Sequence, residues 1–131
     1  MVGSCLIELE LPAPYYKSGS NALMSLNVYR NLHHHLLNKF KREYGDKIKD
    51  LLKDFDPIET SISLSYELHF KGNKRVDVMN VGSIIDKVFS DCLVESGLIK
   101  DDSVGYVTRV SFSGSNGHSE NRFYVNIEEV R

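Results

Sequence analysis

A chain of 131 residues, 41% hydrophobic and 26% charged, has the make-up of one ordinary globular domain spanning 1–131. Its 16 basic and 18 acidic residues leave a net charge of −2, which excludes a protein that grips nucleic acid by bulk positive charge. Any such binding has to come from local patches. Cys5 and Cys92 stand too far apart in sequence to suggest a disulfide framework and fit a reducing cytoplasm. Met1 to Glu10 lacks a basic start followed by an apolar run, so it does not read as a signal peptide, and no stretch approaches the roughly 20 apolar residues of a membrane span.

Cys5 to Leu11 alternates leucines with Glu8 and Glu10, which predicts a strand with one buried face, ended by Pro12 and Pro14. Tyr15 to Asn21 reads as a loop. From Ser25 to Phe55, apolar residues recur every three or four positions, from Val28 and Leu32 to Leu51 and Leu52. That spacing predicts a long helix, with Gly45 as the place where it bends or divides. Thr60 to Phe70 places Ile62, Leu64, Tyr66, Leu68 and Phe70 on one face of a second strand, which runs into the basic turn Lys71-Gly72-Asn73-Lys74-Arg75. A second helix is expected over Val81 to Ser96, with an apolar stripe from Ile84 to Leu93 and Gly97 as its stop. A strand from Val104 to Ser113, a turn at Gly114 to Ser119 and a strand from Asn121 to Val130 complete the chain. The order β-α-β-α-β-β, closing in a hairpin, predicts an α/β (α+β) domain with a mixed sheet and two main helices.

The stretch richest in chemistry is Arg75 to Asp102. Asp77 stands at the expected end of a strand, a helix with an acid–base face follows, and Asp101-Asp102 sit on the next loop. Clustered carboxylates suit Mg²⁺, which takes oxygen ligands and can activate water beside a phosphodiester. An isolated acid is more often simply solvated, and Asp101-Asp102 after a glycine also fits turn chemistry. Lys87 and Asp91 are spaced for an i,i+4 salt bridge, and Asn80 fits a helix cap. The consecutive His33-His34-His35 do not read as a metal site, because neighbours on a helix point about 100° apart. Tyr15, Tyr16 and Phe70 read as loop or core packing before they read as base-stacking groups.

The same stretch resembles the core motif of the RusA family of Holliday junction resolvases. That motif has a basic residue, D-x-D-N, a lysine, an aspartate on the following helix and a D-D pair. Asp77, Asn80 and Asp101-Asp102 match directly, and Lys87 and Asp91 match if one helical turn, Val81 to Ile84, is an insertion. The proline-rich end of the first strand and Ser25-Leu26-Asn27 with Tyr29-Arg30 agree more loosely with the family's opening.

The resemblance implies a homodimeric, Mg²⁺-dependent endodeoxyribonuclease (Mn²⁺ substituting) that resolves four-way DNA junctions by paired nicks. It implies metal-site roles for Asp77, Asp102 and Asp101 and a charge-neutralising role for Lys87; beside them the basic turn with Lys71, Lys74 and Arg75, and Asn80, reads as the DNA contact, while Lys39, Lys41 and Arg42 either add to it or are solvated surface. Cytoplasmic action, in a bacterial virus or its host, is expected on the same ground.

One position departs from the pattern. Met79 stands where the family has its second aspartate, and a thioether is a poor ligand for a hard cation. Two readings follow: Asp86 replaces the lost carboxylate, or the scaffold is kept for DNA or protein binding without catalysis.

Overall fold

The structure is a computed structural model and describes residues 2–16, 22–73 and 76–130. Its elements run β1 (Val2–Leu11), α1 (Leu26–Asn31), α2 (His34–Leu52), β2 (Ile62–Lys71), α3 (Val78–Glu95), β3 (Val107–His118) and β4 (Arg122–Val130). The four strands form one mixed sheet in the order β1-β4-β2-β3, with β3 parallel to β2 and the other two neighbours antiparallel.

The alternation read in the sequence decides the layering. Ile62, Leu64, Tyr66, Leu68 and Phe70 on β2 and Phe123, Val125 and Ile127 on β4 are all buried on one face of the sheet. The amphipathic faces of α2 (Phe40, Tyr44, Ile48, Leu52) and α3 (Ile84, Ile85, Phe89, Leu93) join them in a single core. Fully burying a side chain of this size contributes about 1.5–3 kcal/mol, so the sheet–helix interface is the main source of stability. Alternate residues of β2 and its neighbours, among them Ser65, Glu67, His69, Ser111, Ser113, Tyr124 and Asn126, line a basin on the opposite face.

Three expectations change. The long first helix divides at Leu32–His33, not at Gly45. His33 leaves the helical conformation (φ −55°, ψ 139°) and caps α2, its Nδ1 accepting the His35 N–H at 3.3 Å. Gly45 instead lies buried inside α2, where a Cβ would sit 3.7 Å from Cys92 Sγ, so it marks the close approach of α2 to α3.

The last two strands are not a hairpin. After α3 the chain returns as β3, parallel to β2, and residues 119–121 carry it across the end of β2 to the other side. Asn121 Oδ1 accepts the Lys71 N–H at 2.8 Å on the way. Burial explains the choice. β4 offers Phe123, Val125 and Ile127 to the core and takes a central place, whereas β3 has almost no apolar face and takes the edge. β3 also runs to His118, through the expected turn.

Finally, α3 starts at Val78, three residues earlier than expected. It stops where expected: Gly97 adopts φ +76°, and the N–H groups of Gly97 and Leu98 bond back to the carbonyls of Val94 and Leu93.

α3 meets β3 without room for a spacer. A Cβ on Gly82 would lie 2.6 and 2.9 Å from two Phe112 ring atoms. Gly82→Ala is therefore expected to destabilise the fold by about 1–2 kcal/mol, because overpacking outweighs the ~1 kcal/mol that alanine adds in a helix. Gly105→Ala, which meets nothing within 4 Å, serves as the neutral control in the same urea titration.

Candidate functional site along the third helix

Asp77 is not at a strand end but is the N-cap of α3, its Oδ1 accepting the Met79 N–H at 3.0 Å. The cap expected of Asn80 is thus made by Asp77, and Asn80 lies half-buried in the first helical turn with its N–H on the Asp77 carbonyl. Met79 is 53% exposed.

Asp86 lies halfway along α3, half-buried above the sheet. Its Oδ1 accepts two hydroxyl hydrogen bonds, from Tyr66 at 2.8 Å and from Ser90 at 3.1 Å. Burial pushes its carboxyl above the usual aspartate range. The two hydroxyls oppose that shift, and the carboxylates of Asp102 and Asp91 add to it by repulsion. A carboxylate held by a buried tyrosine while two other acids press on it is the pattern expected where a site concentrates negative charge.

Asp101 and Asp102 follow α3 and lie exposed. Asp101 takes the turn role: Oδ1 accepts the Ser103 N–H at 2.6 Å, and bonds from Ser103 hold its carboxyl below the usual range. Their segment is tied to the start of β2, with Leu98 O accepting from Ile58, Gly105 O from the Ser61 hydroxyl and Tyr106 O from the Ile62 N–H.

These positions bring some predicted residues together and separate others. Asp86 feels Asp102 and Asp91. Asp77 belongs elsewhere, since nine residues along a helix amount to about 13 Å of axial rise and two and a half turns, which sets Asp77 and Asp86 on opposite faces. Asp77 follows the end of β2, whereas Asp101 and Asp102 adjoin its start, and a ten-residue strand is about 30 Å long. The β2–α3–β3 crossover separates Asp77 from Asp101-Asp102, because the parallel return of β3 places the two helix ends at opposite ends of the sheet. Two oxygens on one Mg²⁺ lie within about 4 Å of each other. The donors are chemically right for that ion, but Asp77 cannot share one with Asp86 or Asp102 of the same subunit. Among the described residues no group of three or more His, Cys, Asp or Glu side chains is arranged to hold a metal.

Lys87 projects on the other side of α3 into a groove of about 390 Å³ between α2 and α3, lined also by Lys41, Arg42, Asp46, Lys49, Asp91 and Glu95. Lys49 pairs with Glu95 there, and Lys41 lies 5.5 Å from the Tyr29 ring centroid. Lys87 and Asp91 form no ion pair, against the i,i+4 expectation. Lys39 pairs with Glu43 at 4.0 Å, outside the groove. In the basic loop, Lys71 is exposed and Gly72 turns at φ +71°, while Lys74 and Arg75 lie outside the described residues.

Phe70 is core, and Tyr15 is an exposed loop residue whose hydroxyl accepts from Asn121. The three histidine rings cluster at the start of α2, with centroids 4.1–5.0 Å apart.

Two features escaped the sequence reading. Tyr66 as the partner of Asp86 carries no local signal beyond being the one hydroxyl in an apolar alternation. The His69–His118 stack, 4.3 Å between centroids with Tyr124 edge-on, joins three strands that are distant in sequence.

The raised Asp86 carboxyl has a stability consequence. A group whose folded pKa lies above its unfolded value stabilises fully below the unfolded pKa, and that contribution is lost as pH rises through the folded pKa. Above that range the charged form burdens the native state. Asp86→Asn keeps an acceptor for Tyr66 and Ser90 without the charge, so it should be more stable than wild type in urea titrations at pH 7. The advantage should close towards pH 3.5.

Compared with family models and with curated proteins, the chain matches none.

Proposed function

We propose that this protein is a RusA-type, Mg²⁺-dependent endodeoxyribonuclease that resolves four-way DNA junctions by paired symmetric nicks, working as a homodimer in the cytoplasm of a bacterium or its virus. The observation that carries the reading is the arrangement on and around α3. Asp77 caps its start, Asn80 stands in its first turn, Asp86, Lys87 and Asp91 follow along it, and Asp101-Asp102 come after it, in the order of the family motif. The position of Asp86, half-buried beside the Tyr66 and Ser90 hydroxyls and within electrostatic reach of Asp102 and Asp91, supports the part given to it when Met79 replaced an aspartate.

Lys87 adds to the reading by its surroundings. It shares the α2–α3 groove with Lys41 and Arg42, two of the bases expected to meet DNA. Cations in such a row hold a phosphate backbone by charge and read its shape more than its bases. Binding is then strongly salt-dependent despite the acidic net charge.

A second reading draws on the same coordinates. Met79 in place of a carboxylate, and the distance from Asp77 to Asp86 and Asp102 within a subunit, favour a RusA-like scaffold that binds branched DNA or a protein without cutting.

Incubation with a synthetic four-way junction in Mg²⁺ or EDTA separates the two. The nuclease reading expects symmetric nicks in Mg²⁺ only, reduced at least ~10²-fold by Asp77→Asn, Asp102→Asn and Asp86→Asn, as for loss of a principal electrostatic group. Tight junction binding with no nick at any Mg²⁺ or Mn²⁺ concentration selects the second. In either case Lys41→Ala, Arg42→Ala and Lys87→Ala together should lower the slope of log affinity against log salt by about 3.

A further inference from the structure

We infer that the open face of the sheet binds a linear diamine or polyamine, with one ammonium held by Glu8, Asn126 and Ser65 and the next by Glu67. The site stands apart from the nuclease reading, since it lies on the sheet face turned away from α3.

The strand register lays out this face in rows. Glu8, Asn126, Ser65 and Ser111 are successive partners across β1, β4, β2 and β3. Glu10, Tyr124, Glu67 and Ser113 form the next row, two residues further along, and Arg122, His69 and Ser115 follow. Positions two apart on a strand share a face, so these side chains stand together over the sheet. The basin of about 680 Å³ is lined from the first two rows and by His69.

Its charge is one-sided. Glu8 and Glu67 line it, and no lysine or arginine does. The nearest bases are engaged or outside. Arg122 pairs with Glu10 and Glu120, and Arg109 lies one row beyond Ser111, outside the lining. Among the described residues Glu8 forms no ion pair, and Glu67 meets only the His69 ring, Oε2 to Nε2 at 3.2 Å.

Asn126 Oδ1 decides the kind of partner. It is buried, its residue flanked by Glu8 and Ser65 in the register, and it accepts no hydrogen bond from the described residues. Buried acceptors in native proteins are nearly always paired, so an unpaired one marks a place where something else donates. A water would meet Asn126 alone and leave both carboxylates without a counter-charge.

The chemistry of the ligand follows. The unmet groups are acceptors and anions, so a phosphate or a carboxylate is repelled and a donor-rich cation is drawn in. Among the described residues no three His, Cys, Asp or Glu side chains converge as a metal requires. An ammonium carries three N–H donors and no acceptor, which suits a carboxylate, an amide oxygen and a hydroxyl set side by side. Glu67 is the diagonal neighbour of Asn126 across the β4–β2 pair, about 7–8 Å away. A second ammonium on a short alkyl chain reaches it. Tyr124 flanks that path, paired with Glu67 and two residues from Asn126, and is held in T-shaped contact with His69 at 5.2 Å. Its ring offers an apolar bed to the methylenes and a π face to the charge.

Calorimetric titration of the full chain with putrescine and with spermidine tests the site. Wild type is expected to bind one spermidine, with amide shifts confined to β1, β2 and β4 around Glu8, Glu67 and Asn126. Glu8 and Glu67 are exposed, so Glu8→Gln and Glu67→Gln keep the fold, and each should weaken binding about 10-fold. Asn126→Ala should weaken it about as much while the free protein is no less stable in urea, because the stranded acceptor is gone. Glu43→Gln and Asp50→Asn, exposed acids on α2, should change nothing. Equal losses at those two positions, or the same amide shifts with Mg²⁺ at matched charge, reduce the effect to diffuse counter-ion attraction and overturn the site. Binding that survives Glu8→Gln and Glu67→Gln together also overturns it. Tighter binding of arginine amide than of spermidine overturns the choice of ligand and assigns the basin to a guanidinium.

Discussion

α3 rests on β2 and β3 at two points with no side chain between them, Gly82 under the Phe112 ring and Gly114 under Val78, and Tyr66 reaches up from β2 to Asp86. Protein interiors pack too densely for such contacts to slide. The helix therefore has one register on the sheet, and every candidate side chain it carries is placed by that register. Asp77 falls at one end, Asp86 at the middle beside the Tyr66 hydroxyl, and Lys87 and Asp91 in the groove against α2.

Electrostatics then acts on a fixed frame. Asp86 is held where burial and two neighbouring acids disfavour its charge, with Tyr66 and Ser90 as partial compensation. Natural folds tolerate this kind of cost at functional positions, where charge is kept for use more than for stability. Asp101, by contrast, is stabilised as a turn carboxylate by Ser103, so the two acids of the D-D pair differ in surroundings: one serves the loop, the other lies within electrostatic reach of Asp86.

The topology also shapes what surface remains. Helices cover one face of the sheet, and the other face displays a polar basin of about 680 Å³ lined by serines, Glu8, Glu67, His69, Tyr124 and Asn126. Placing apolar β4 in the centre leaves β3 at the rim, and the parallel return of β3 puts the two ends of α3 at opposite ends of that rim. The separation of Asp77 from Asp102 within the chain has its origin in this one crossover.

Periodicity alone determined the α/β class, the four strands and two principal helices within a few residues, the apolar faces of β2, α2 and α3, and the stop at Gly97, because alternation and 3.6-residue spacing are local consequences of burial. The carboxylates of the Arg75–Asp102 stretch marked Asp77 and Asp102, and the resemblance to a family motif, not periodicity, singled out Asp86 and Lys87. Tertiary structure alone decided the break at His33, the place of β4 beside β2 in preference to β3, the capping role of Asp77 and the Tyr66–Asp86 bond. Each of these depends on which distant element wins a shared position in the core, and spacing along one chain carries no record of that competition.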